Sequence, residues 1–192
     1  MSKKLCLLCV IIALITGCDN TYFPKPRGYF RIDLPSKKYR LFDSIPFPYM
    51  FSYPEYTMIE PDKERADEPF WINIHYLPFD ATLYLSYKKV KNNLNVYIDD
   101  AHTFVTKHIP KATGINENVY MNEPERVFGL IYNIEGADVA SPMQFYLTDS
   151  TTHYVRGSLY FNNIPNNDSL APVIEFIKQD IYYMFETFKW RK

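Results

Sequence analysis

The sequence predicts an α+β domain, a mostly antiparallel sheet with two covering helices, preceded by an export signal and a short tether. Three observations carry this reading. Short alternating segments separated by Pro and Asn/Asp turns recur along most of the chain, as half-buried strands do. Two stretches switch to helical spacing, and helices placed late among runs of strands favour a layered α+β arrangement over alternating βα units. The first eighteen residues pair a charged start with a short apolar run that closes on a cysteine.

Lys3 and Lys4 open that signal, the apolar run extends from Leu5 to Ile15, and Leu14-Ile15-Thr16-Gly17-Cys18 ends it. A span needs roughly 20 apolar residues, so this run of about eleven is too short to be one. Small Thr16 and Gly17 suit cleavage before Cys18. The boundaries are then residues 1–17 for the signal, 18–27 for the lipidated cysteine and tether, and 28–192 for a single domain. The apolar-small-small-Cys pattern resembles the bacterial lipobox. It implies a diacylglyceryl thioether on Cys18 with a palmitate-type acylated amine, each buried CH₂ contributing about 0.8 kcal/mol of membrane affinity. Cys6 and Cys9 leave with the signal, so the exported part has no disulfide and packing alone must hold it.

The net charge of −1 hides an uneven distribution. Loss of Lys3 and Lys4 leaves 19 basic against 22 acidic residues. Residues 19–40 hold Lys25, Arg27, Arg31, Lys37, Lys38 and Arg40 against Asp19 and Asp33, a basic arm before an acidic remainder. Such an arm suits either a solvated tether or contact with anionic head groups, at about 1 kcal/mol per charge near a surface. An exported, net acidic domain argues against nucleic acid as a partner. Aromatic residues make up 17% of the chain, led by 17 Tyr, so many rings are expected to be half-buried or exposed.

Pro24 and Pro26 keep Asp19–Pro26 extended, and eight such residues reach at most about 28 Å. Gly28–Pro35 reads as a first, edge strand. Strands are then expected at Tyr49–Tyr53, Tyr56–Glu60, Phe70–Leu77 and Thr82–Lys88. Between Asn92 and Pro110 the period lengthens: Leu94, Tyr97, Ile98, Ala101, Val105 and His108 share one face of a helix capped near Asn92 or Asn93. Strands resume at Ile115–Met121, Val127–Glu135, Met143–Thr148 and Tyr154–Asn162, the last two forming a hairpin around Asp149–Thr152. A second helix, capped by Asp168 or Ser169 with Pro172 in its first turn, carries the stripe Leu170, Val173, Ile174, Ile177, Ile181, Met184, Phe185 and Phe188 to about residue 189. The order, with the Phe51-Ser52-Tyr53-Pro54-Glu55-Tyr56 opening, resembles the Mog1/PsbP-like layout.

No motif for catalysis stands out. His75, His102, His108 and His153 are scattered, and no Gly-x-Ser-x-Gly elbow, Walker loop or dinucleotide fingerprint occurs. The acidic loop Glu60–Glu68 lacks the glycine bend and regular carboxylate spacing of a calcium loop, so no metal or cofactor is expected. Alternation places Trp71, Asn73 and His75 on one sheet face, a candidate ligand face or a solvated one. Arg27, Tyr29 and Arg31 are candidates for an interaction element, with bracing of the first strand as the alternative.

The runs Pro24–Pro35, Ala140–Ser150 and Arg156–Asn162, continued by Pro165–Val173, resemble the gliding-motility lipoprotein GldD family over nearly the whole mature chain. The resemblance implies a lipid-anchored cell-envelope component required for gliding and associated with type IX secretion, and brings no catalytic residues. The expected role is a non-enzymatic assembly or stabilising factor whose partners are the membrane and other gliding or secretion proteins. The domain is expected in the periplasm, with inner against outer membrane left open. The rival is a periplasmic ligand- or glycan-binding module, or less favourably an enzyme of unrecognised class, using Trp71, Asn73 and His75. Ser44, Ser150 and Ser169 follow Asp in tripeptides resembling an O-glycosylation pattern of exported Bacteroidetes-type proteins, although turns and caps favour Asp-Ser pairs anyway. Replacing Cys18 with Ser is expected to abolish lipidation, read by intact mass of the membrane fraction; acyl mass retained on the variant would refute the anchor.

Overall fold

The structure, a computed structural model, describes residues 32–191. Cys18, Arg27, Tyr29 and Arg31 lie outside these residues. The strands are β1 (Tyr39–Phe42), β2 (Tyr49–Pro54), β3 (Met58–Pro61), β4 (Ile72–Tyr76), β5 (Ala81–Lys89), β6 (Gly114–Asn122), β7 (Val127–Glu135), β8 (Met143–Thr148), β9 (His153–Phe161) and β10 (Lys189–Trp190), and the helices are α1 (Leu94–Thr106) and α2 (Asn167–Thr187). Every strand pair is antiparallel. The main sheet runs β3-β4-β5-β9-β8-β7-β6 and a small one runs β1-β2-β10.

Period-two alternation decides which face each side chain takes. Ile72 and Ile74, Leu83 and Leu85, Phe145 and Leu147, and Val155 and Leu159 point to one face, where they meet Val173, Ile177, Ile181 and Phe185 of α2 and Tyr49 and Phe51 of β2 in a single core. Phe145 and Phe185 pack edge to face at 4.6 Å, and Phe188 stacks on Phe51 at 6.0 Å. Gly157, opposite Phe145, makes room for the ring: a Cβ there would lie 2.0 Å from Phe145 Cζ. Tyrosine enters this core more deeply than its polarity suggested. Tyr49, Tyr76 and Tyr87 are buried in it, Tyr132 and Tyr154 are buried on the opposite face, and Tyr49 satisfies its hydroxyl by donating to Phe70 O at 2.7 Å.

One charge is buried in this apolar setting. Asp180, on α2, has a fully covered side chain whose Oδ1 accepts from Lys37 Nζ at 3.0 Å and Tyr39 Oη at 2.7 Å, while Oδ2 accepts from Tyr56 Oη. Burial, then the bond to the carboxylate, pushes both phenols far above their usual range. The cluster ties the chain's entry, β1 and the turn before β3 to the C-terminal helix.

Several element limits differ from expectation. Residues 32–35 form no strand; the first one is β1, where Tyr39–Phe42 pairs with Phe51–Pro54. The expected Tyr56–Glu60 strand starts only at Met58, because Glu55 and Tyr56 turn and Thr57 N–H bonds back to Pro54 O. The second helix begins at Asn167 behind an Asn166 cap and ends at Thr187. Phe188 is therefore not helical: its backbone is extended and leads into β10. Asn93 caps α1 without a side-chain bond to that helix, its Oδ1 accepting instead from Lys91 N–H. Asp180→Ala is expected to cost about 3 kcal/mol, the low end for breaking a buried pair because Lys37 can turn to water. A urea midpoint close to wild type would show that the cluster does not hold the fold.

Candidate functional site

Among the described residues, α1 is the only helix on the second face of the main sheet, with Val139 of the β7–β8 loop packed beside it. A 13-residue helix is about 20 Å long, whereas six strand spacings cover about 29 Å, so part of the face stays open. Helix α1 lies over β8 and β9, with Ala101 and Val105 buried beneath it. Tyr154 Oη donates to Tyr97 O at 2.9 Å, and a relay runs from Arg156 Nη2 to Gln144 Oε1 at 2.7 Å and from Gln144 Nε2 to His108 Nε2 at 2.8 Å. Trp71, Asn73 and His75 sit on the uncovered part, and all three line a groove there.

The groove has two lobes that share Asp62, Tyr84 and Tyr160. The first, about 610 Å³, is walled by Glu60, Lys63, Asn73 and His75. Thr82 Oγ1 lies 3.1 Å from His75 Nδ1, and Glu60 Oε2 is 3.9 Å from His75 Nε2 and 2.9 Å from Lys63 Nζ. Lys63 in first place, then His75, holds the Glu60 carboxyl below its usual range. The second lobe, about 480 Å³, lies between the α1 side chains Tyr97, Asp100 and Phe104 and, from the sheet side, Trp71 just before β4 with Lys88 and Arg156 of β5 and β9. Trp71 Nε1 donates to Tyr87 O at 2.8 Å, fixing the indole, and the Arg65 and Lys88 cations stand 5.0 and 5.2 Å from its ring centre.

Among the described residues, two buried polar atoms on this face have no partner: Asn73 Oδ1 and Arg156 Nε. The Arg156 guanidinium stacks 4.3 Å from the Phe104 ring, and burial lowers its pKa, opposed by Tyr160 and Tyr154. Among the described residues no carboxylate lies within ion-pair distance of it. Nor do three or more His, Cys, Asp or Glu residues there converge as a metal shell would. The contributions of Tyr84, Tyr160, Phe104 and Arg156 were missed at the sequence level. The available signal was the alternation of Tyr154, Arg156, Ser158 and Tyr160 with the apolar residues of β9.

Ser44, Ser150 and Ser169 are all exposed, the first two in turns and the third in the first turn of α2. Ser150 has φ 70°, and the Asp149 carboxylate accepts the N–H groups of Thr151, Thr152 and His153 around it. Burial opposes ionisation of Asp149, but these bonds outweigh it and hold the carboxyl below its usual range.

A family model described as "Gliding motility lipoprotein GldD" matches residues 19–190. No curated protein matches the sequence. Among solved structures, the chain is similar to the solution structure of cyanobacterial PsbP (CyanoP) from Synechocystis sp. PCC 6803. The TM-score is 0.51 at 11% identity, covering 84% of this chain and 98% of that one. The likeness is one of fold, and it agrees with the PsbP-like layout expected from the order of elements.

His108 and His153 make stability depend on pH. Burial, then Arg156, holds His108 below the ordinary 6.5, and burial, opposed by Asp149 and aided by Lys89, does the same for His153. Above about 6.5 both states carry neutral imidazoles and nothing changes; below it the unfolded chain takes up protons first, so stability falls. The urea midpoint is expected to drop as pH goes from about 7 to about 5, and His108→Gln is expected to lessen the drop. A midpoint flat across that range would contradict the assignment.

Proposed function

Because this chain belongs to the gliding-motility lipoprotein GldD family, we propose that it acts as a non-enzymatic assembly or stabilising factor of the gliding and type IX secretion machinery. In this reading the acylated Cys18 holds the domain at a membrane, with the domain on the periplasmic side. The match begins at residue 19, directly after that cysteine, which suits a mature lipoprotein whose whole exported part is one working unit. No helix among the described residues is long and apolar enough to cross a membrane.

The observation that carries the assembly role is the β6 edge of the main sheet. Among the described residues β6 pairs on one side only, and Val119 and Met121 stand 72% and 67% exposed on it. They face a shallow apolar hollow with Leu94, Ile98, Phe128 and Leu130. Sheet edges are normally blunted by charge or covered, and exposed apolar side chains beside an unpaired ladder favour contact with another protein. A partner there would be met in two dimensions by a lipid-anchored domain.

A photo-crosslinking residue at position 119 or 121 is expected to capture an envelope protein of the secretion or motility apparatus. Val119→Glu with Met121→Glu should weaken capture and gliding while leaving the melting temperature near wild type, since both sites are exposed. Inserting a long flexible spacer after Asn20 should likewise impair gliding. Unchanged motility in both variants would sink the proposal.

A further inference from the structure

We infer that the groove between α1 and the β4-β5-β9 side of the main sheet is a binding site for a short acidic sugar, a uronate-type disaccharide. The inference stands apart from the assembly role and concerns the opposite flank of α1. It rests on four features of the groove, each of which demands something of the occupant.

The first is Arg156. Its guanidinium has five N–H donors, Gln144 takes one, Phe104 covers a face, and no described carboxylate pairs with it. A half-buried guanidinium on the wall of a cavity, without an internal counter-ion, is matched by a carboxylate brought in from outside. The second is the ring pair Tyr84 and Tyr160. They meet edge to face at 5.9 Å and line both lobes, and Tyr84 is 39% exposed on the part of the face beside α1. An exposed ring flanked by polar groups is a platform for the C–H face of a sugar ring.

The third feature sorts among anions. Asp62 and Asp100 line the same cavity as Arg156. Their charges disfavour the concentrated double charge of a phosphate more than a single carboxylate seated on Arg156, and as acceptors they take hydroxyl hydrogens. Asn73 Oδ1, unpartnered in the neighbouring lobe, also lacks a donor. An occupant with one acid group per ring and several hydroxyls answers all three. The fourth is size. Asn73 and Arg156 are two strands apart and offset by two residues along the strand, since Asn73 stands opposite Tyr84 and Ser158, which puts them roughly 12 Å apart, and the two lobes of about 610 and 480 Å³ meet at the tyrosines, so each can seat one ring. A peptide extending the sheet would need an unpaired strand edge, which a groove over β5 and β9 does not offer.

The test uses the full lipidated chain in detergent micelles, titrated by calorimetry with di-galacturonate and di-glucuronate. The neutral disaccharide, inorganic phosphate and an aspartate-rich peptide serve as comparison arms. Saturable binding of at least one di-uronate is expected, with the neutral sugar weaker by about tenfold or more. Tyr84→Ala should lose binding by a similar factor with an unchanged melting temperature, because the ring is exposed. Arg156→Gln should bring acidic and neutral sugars to equal affinity; should that variant unfold, Arg156→Lys, which keeps the charge and loses the fork, is expected to weaken di-uronate binding. No binding of either di-uronate, equal binding of the neutral sugar by the wild-type chain, or binding of phosphate or the peptide alone would overturn the inference.

Discussion

A single buried carboxylate decides how the two sheets and the second helix come together. Asp180 sits on the face of α2 turned towards the core, with its side chain withdrawn from water, and three donors reach it from Lys37, Tyr39 and Tyr56. An ion at that depth is tolerated only when its lone pairs are taken, so the positions of all three donors are coupled. Tyr39 begins β1, and Tyr56 stands at the turn from β2 to β3. The small sheet is thereby pinned across α2, and β2 carries Tyr49 and Phe51 into the core against Phe188. The same contact uses Lys37, part of the basic arm that otherwise reads as charge for a membrane surface. Some of that charge is spent on folding.

With α2 and β2 sealing one face of the main sheet, the other face is left to a helix too short for it. The consequence is a split surface. Beneath α1 the face is dry enough for Ala101, Val105 and the Arg156-Gln144-His108 relay, whereas beside α1 polar and aromatic side chains of β4, β5 and β9 line open space. The unpartnered atoms Asn73 Oδ1 and Arg156 Nε both belong to this face. Buried polar groups are nearly always bonded, so two described orphans on the wall of one groove mark unmet hydrogen-bonding capacity there.

Local pattern revealed most of the elements, and it failed where placement depends on distant partners. Strand β8, Met143–Thr148, was readable to the residue, as was β7, because their alternation is strong and their turns are rich in Asp, Ser and Gly. Strand β1 was not readable: Tyr-Arg-Leu-Phe has no alternation of its own and is held by β2 and by a carboxylate 141 residues away. Strand β10 is two residues long and exists only through its pairing with β2. Nothing in the local sequence singles out Asp180, since the apolar stripe of α2 is read without it. The candidate groove divides the same way. Trp71, Asn73 and His75 were legible because β4 and the residue before it carry them in alternation. Tyr84, Phe104, Arg156 and Tyr160 arrive from three other elements, and sequence spacing does not show that these converge.

The order of strands keeps the two surfaces of this domain from competing. The groove lies over β4, β5 and β9, and the apolar edge is β6, three strand spacings or about 14 Å beyond β9. Helix α1 stands between them, giving Tyr97 and Phe104 to the groove and Leu94 and Ile98 to the hollow at the edge. A protein bound along β6 would leave the groove open, and an occupant of the groove would touch the same helix that the protein touches. Tyr97 and Ile98 are adjacent residues, so any shift of α1 made to close on a ligand would move the floor of the hollow at the β6 edge with it. Coupling between the two surfaces therefore needs no long pathway, only a helix that rests on the sheet through a few buried residues and one polar relay.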